Sequence, residues 1–173
     1  MSQAVHTNCD VAKASTHCVF RCGANWMALP VLAVREVLPA PRPVFVPGMS
    51  AVFLGLCHVR SEFVPVLKLS SVLPLAETSR GGIMLILDDA DGPWAMCVDE
   101  VSALRTLEMS DSPESYSAEV ASVVIGWATV EDNVVQVLDQ SAIRQFAERQ
   151  LADVSRSSKI QNNVSARDRM EMS

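Results

Sequence analysis

The sequence predicts a mainly β protein: two similar small β-barrels packed together, followed by one C-terminal α-helix. Three observations predict it. Short apolar runs are punctuated by glycine, proline, asparagine and aspartate, the pattern of successive β-hairpins. The stretch GLCHVRSEFVPVLKLS (55–70) returns without a gap as GWATVEDNVVQVLDQS (126–141), placing Gly55 on Gly126, Val59 on Val130, Val64 on Val135, Val66 on Val137, Leu67 on Leu138 and Ser70 on Ser141. Helical spacing of apolar residues enters only after residue 139.

Residues 1–16 are polar and without period, and are expected to form a flexible lead. CVFRC and WMALPVLAV flank the turn residues GAN, the first hairpin. The following VLPAPRPVFVPG carries Pro39, Pro41, Pro43 and Pro47, which exclude helix because each proline removes a backbone donor and holds its predecessor extended. AVFLGLCHV and FVPVLKL flank RSE, and Pro65 inside the second of these runs predicts a sheet edge or a bulge. LPLAETSRGG reads as a loop. IMLIL and WAMCV flank DDADGP, whose Asp91-Gly92 tolerates positive φ. MSDSPESYSAE is a polar connection, and VASVVIGWATV and VVQVL flank EDN as the last hairpin.

In DQSAIRQFAERQLA the residues Ile143, Phe146, Ala147 and Leu151 recur at helical spacing behind Asp139, the expected N-cap. The domain is therefore drawn over 17–151, and the polar 152–173 is expected to be a disordered tail. A second echo, GANWMAL against GPWAMCV, aligns Trp26 with Trp94 when one residue of slip is allowed, and gives both a core role. Duplicated hairpins with apolar residues on both strand faces suit two barrels related by a pseudo-twofold, each strand filling its own barrel and partly covered by the other.

A net charge of −6 and a pI near 5.0 argue against nucleic acid as partner, which requires a basic face, and against attachment to anionic lipid. No apolar run is long enough to insert in a membrane. Five cysteines without a secretory leader read as reduced thiols in a cytoplasm. His17, Cys18 and Cys22 invite a metal reading, but no second short-spaced pair completes four ligands, and no metal or other cofactor is expected. Asp88, Asp89 and Asp91 lack the spacing of a calcium loop. Cys57 and His58 are neighbours on a strand and face opposite ways, which forbids a nucleophile–base pair and leaves no catalytic set. Asp99 and Glu100 follow a strand and are expected to bond locally at its end.

Four stretches in order, WMALPVLAVREVL (26–38), GLCHVRSEFVPVLKL (55–69), WAMCVDEV (94–101) and GWATVEDNVVQVLD (126–139), resemble the CheW-like domain of bacterial chemosensory systems. The resemblance covers roughly residues 18–151. It implies an SH3-like pair of barrels without catalytic activity. Such a protein would be a cytoplasmic adaptor coupling methyl-accepting chemoreceptors to the regulatory domain of a CheA-type histidine kinase. The cytoplasmic tip of the receptor would lie in a groove between the barrels. Carried over by position, the receptor-facing residues would be Val34, Glu36, Gly55, Arg60 and Gly126, the two glycines admitting a partner helix close to the backbone.

The chain departs from the family pattern at Ser61 and Ala95, where glycine is usual, and both would narrow that groove. The alternatives are a CheW-like adaptor of surface motility or second-messenger control, or a small thiol-dependent enzyme using Cys57 or Cys97.

Overall fold

The computed structural model describes residues 15–75, 82–110 and 122–151. The greater part of the expected lead, the tail 152–173, and much of the two polar connections lie outside the described residues. Ser15 and Thr16, assigned to the lead by sequence, already belong to the first strand.

Among the described residues ten strands form two five-stranded sheets. They are β1 (Ser15–Cys22), β2 (Asn25–Pro30), β3 (Val34–Pro39), β4 (Phe53–Val59), β5 (Glu62–Leu67), β6 (Ile83–Leu87), β7 (Trp94–Val98), β8 (Glu100–Leu107), β9 (Val124–Val130) and β10 (Asn133–Leu138). The orders are β8-β1-β2-β10-β9 and β3-β6-β7-β5-β4. Advancing every label of the first order by five, and wrapping at ten, yields the second. The duplication is thus complete at the level of topology, and each sheet borrows strands from both halves of the chain.

The exchange happens at two short crossings. Between β2 and β3 a 3-10 turn at Val31–Ala33 carries the chain from the first sheet to the second. Between β7 and β8 the single residue Asp99 does the reverse. There Gly23 N–H donates to Asp99 Oδ2 (2.6 Å), Asp99 N–H donates to Arg21 O (2.9 Å), and Arg21 pairs with Glu100 (3.0 Å). The expected local bonds of Asp99 and Glu100 are therefore corrected: both reach across the sheet to the β1–β2 hairpin, which anchors the crossing.

The main core lies between the sheets, joining Phe20, Met27 and Leu29 to Leu67, Leu85, Leu87 and Trp94. Each sheet also encloses its own smaller cluster, Val19, Ala28, Val135 and Val137 in one and Cys57, Val64, Val66, Met84 and Ala95 in the other. The helix α1 (140–151) seals the main core with Ile143 and Ala147, four residues apart on one face. Asp139 caps it, its Oδ1 accepting from the N–H groups of Ser141 (2.8 Å) and Ala142 (3.2 Å).

The sheets curl toward barrels without a continuous closing ladder. In the second sheet the edges are β3 and β4, and the segment after β3 returns to bond β4 at one bridge: Val44 N–H to Leu56 O (2.8 Å) and Leu56 N–H to Val44 O (2.9 Å). In the first sheet Ser110 and Trp127 make the matching bridge (2.8 and 3.0 Å).

Two expectations about register change. Pro65 sits not on an edge strand but on β5, between β7 and β4. It is tolerated because the parallel ladder to β7 begins only at Val66, whereas its counterpart Gln136 does pair, with Met27. Trp26 and Trp94 are not equivalent either. Val66 lies opposite Ala95 and its counterpart Val137 opposite Ala28, so the counterpart of Trp94 is Met27. Both are buried, while Trp26 falls on the other face, half-buried, with the Arg21 guanidinium 5.9 Å from its ring centroid.

Candidate functional site

The candidate residues gather at the end of the second sheet where β4 turns into β5. Val59 and Glu62 are paired, so Arg60 and Ser61 alone form a two-residue hairpin loop. Both have positive φ, 45° and 73°. This is the geometry of the type I′ turn that matches the strand twist, normally supplied by Asn-Gly. Two side-chain-bearing residues in the left-handed region cost on the order of 1 kcal/mol each. The glycine usual in CheW-like domains would adopt the Ser61 conformation without strain.

The strained turn is held against β3. Arg60 Nη2 donates to Glu36 Oε1 (2.7 Å), and Glu62 pairs with Arg35 (2.9 Å), which also approaches Asp88 (3.6 Å). Since β3 and β4 are the two edges of the sheet, the Arg60–Glu36 pair joins the turn at the end of β4 to the opposite edge. Arg60 remains 73% exposed and Glu36 24%, so the guanidinium is oriented while still open to a partner.

The second half also ties its turn to an edge strand, with the signs exchanged but from another position: by register Arg105 matches Leu38, not Glu36. Glu131 stands where Arg60 stands in the first copy, has φ 55°, and accepts from Arg105 Nη2 on β8 (3.2 Å). Sequence reasoning found the changed turn residues but not their partners, because β8 (EVSALRTL) is mostly exposed and lacks the apolar alternation that marks a strand.

The remaining candidates fall elsewhere. Ala95 is 0% exposed inside the second sheet's cluster, so its expected groove contact is corrected to a core position. Gly55 and Gly126 are buried under the chain itself. A Cβ on Gly55 would collide with the Val44 carbonyl oxygen, and one on Gly126 would lie 2.9 Å from the Ser110 oxygen. The space expected for a partner helix is taken by the bridging segments that close each sheet. Val34 is half-buried against the inter-sheet core. Val34, Glu36, Arg60 and Ser61 thus remain accessible.

Three thiols among the described residues are shifted away from nucleophilic activation. Burial pushes the Cys18, Cys57 and Cys97 thiols up, and at Cys97 the neighbouring Cys57 adds to the effect. Cys57 is buried while His58 faces out, its ring 5.2 Å from that of Phe63. Among the described residues no group of three or more His, Cys, Asp or Glu is placed to hold a metal ion, and no helix is long and apolar enough to cross a membrane. Asp88 and Asp91 instead face Arg35 (3.6 Å) and Arg144 (3.8 Å).

The fold is a duplicated, strand-swapped pair of small β-sheets. The model of the CheW-like domain matches residues 16–148, and the chain belongs to that family. A solved relative in fold is the scaffolding protein TtCheW from Thermoanaerobacter tengcongensis. It has a TM-score of 0.64 and 16% identity, over 73% of this chain and 89% of that one. No curated protein matches the sequence.

Proposed function

We propose that this protein is a non-catalytic adaptor that joins chemoreceptors to a CheA-type histidine kinase on the cytoplasmic side of a receptor array. Membership of the CheW-like family carries the reading. It is supported by the similar fold of a protein described as a scaffold and by the raised ionisation of the Cys57 and Cys97 thiols.

The receptor side is the Arg60 end of the second sheet. Arg60, oriented by Glu36, donates to a carboxylate or carbonyl of the receptor tip beside Ser61 and the exposed part of Val34. The kinase side is a sheet face. The outer faces of β4–β5 and β9–β10 expose apolar side chains at matched positions, Leu54 and Phe63 on one and Ile125 and Val134 on the other. Either face can pack against a regulatory domain of similar fold.

The test is sedimentation of the purified chain with a receptor cytoplasmic fragment and a kinase regulatory domain. A ternary complex is expected, and failure to bind either component refutes the proposal.

A further inference from the structure

A cleft of about 360 Å³ opens between α1 and β5. Phe53, Phe63 and Leu67 wall it on the sheet side, and Ala147 and Leu151 on the helix side. That size and lining suit a small-molecule site, an apolar pocket holding a few placed polar groups. The placed group here is the indole of Trp94, which also lines the cleft. Trp94 is 4% exposed, and its Nε1–H is buried without an acceptor among the described residues. An unmet donor cut off from water carries its full desolvation penalty, and one incoming oxygen removes it.

The surroundings select among acceptors. An added strand is excluded, because β5 is an interior strand paired with β4 and β7. A docked helix leaves the indole unanswered, because its carbonyls are already bonded within its own ladder up to the last turn. A small molecule can bring one oxygen to the indole and an apolar body to Phe53 and Phe63. Since the N–H is shut off from solvent, entry requires a side chain to turn aside, and Phe63, 71% exposed, has room to do so.

The rim decides the charge. Arg144 is already engaged: its Nη1 donates to Gly92 O (2.8 Å), its Nε pairs with Glu148 (2.9 Å), and its Nη2 lies 3.8 Å from Asp91. One guanidinium thus faces two exposed carboxylates, so an anionic head would meet net negative charge on entering.

We propose that the cleft binds a small neutral carbonyl compound, a medium-chain ketone, ester or acyl amide. Its oxygen accepts from the Trp94 indole while its chain fills the space between Phe63, Leu67 and Leu151. Such a site stands whether or not the chain joins receptors to a kinase.

The test is titration of the full chain at neutral pH with methyl hexyl ketone, with the matching alkene in which CH2 replaces the oxygen, and with octanoate. The indole N–H resonances are followed, and Trp26→Phe and Trp127→Phe identify the Trp94 signal by elimination. The ketone is expected to move that signal downfield to saturation, whereas the alkene, lacking the acceptor, is not. Octanoate should bind about tenfold more weakly than the ketone, and Glu148→Gln should narrow that gap by removing one rim charge. Phe63→Ala should weaken ketone binding about threefold or more by removing an apolar wall. A Trp94 signal that the ketone leaves unmoved overturns the site, as does octanoate binding as tightly as the ketone. In the free chain, a nuclear Overhauser contact from that N–H to a residue beyond Leu151 would show that the protein already fills its own cleft, and would overturn it too.

Discussion

The β4–β5 and β9–β10 hairpins have boundaries that coincide when shifted by the repeat, 53–59 and 62–67 against 124–130 and 133–138. Each carries a bulge at its base that leaves one apolar residue, Leu54 or Ile125, exposed, and each places a glycine under a bridging segment. Their tips differ: Arg60-Ser61 held by Glu36 in one, Glu131-Asp132 with Glu131 held by Arg105 in the other. Backbone geometry is kept wherever a side chain must fit inside the fold. Duplication thus preserves the bridge that closes each sheet while changing the residues at the two tips.

The sharpest way to break this equivalence is at the glycines. Gly55 has φ 138° and lies directly under the Val44 carbonyl, so Gly55→Ala should cost about 3 kcal/mol or more. Gly126 has ordinary φ, and a Cβ there would meet the flexible end of Met109 at 2.8 Å and the Ser110 carbonyl oxygen at 2.9 Å, so without the backbone strain Gly126→Ala should cost less, about 1–2 kcal/mol. Urea unfolding measures both, and equal losses would mean that close approach of the bridging segment is not what demands glycine at Gly55.

Smaller effects belong to the clasps. Arg60→Glu sets two carboxylates side by side and should lose up to about 1 kcal/mol, with Glu36→Arg in the same chain restoring most of it. The pair Arg105→Glu and Glu131→Arg should behave likewise. A double-mutant cycle showing no coupling at either end would reduce the clasps to surface charges. At the same tip, Ser61→Gly should stabilise by about 1 kcal/mol by relieving a left-handed serine.

The buried thiols give the smallest signal. Their raised ionisation keeps them protonated in the fold, while in the unfolded chain they ionise near 9.0. The unfolded state therefore loses protons first, and stability should decline as pH rises above that value. Alkylation of Cys18, Cys57 and Cys97 at neutral pH, read residue by residue, should be slow until denaturant is added, and fast labelling of Cys57 or Cys97 would reopen a thiol-based activity.

The hairpins, the repeat, the proline-rich extended segment and the capped helix were legible in the sequence because each rests on local chemistry: turn residues, alternation and caps. What was not legible depends on partners distant in the chain. The strand β8 is nearly all solvent-facing, and only its ladder to β1 defines it. The register of β2 against β10 and of β7 against β5 decides that Met27, not Trp26, matches Trp94, and one residue of slip reverses the face. Gly55, Gly126 and Ala95 were read as groove positions because sequence shows a missing or small side chain but not whose atoms fill the space. Arg60 and Glu36 were chosen separately, and the structure joins them at 2.7 Å.

The central claim is that the two ends share one scaffold and only the Arg60 end meets the receptor. Receptor-fragment binding by Arg60→Glu and by Glu131→Arg, side by side, tests it most directly. Binding should weaken about tenfold or more for Arg60→Glu and stay within about twofold for Glu131→Arg, although each breaks an ion pair between a turn and an edge strand. Equal losses in the two variants, or a larger loss at Glu131, would contradict it.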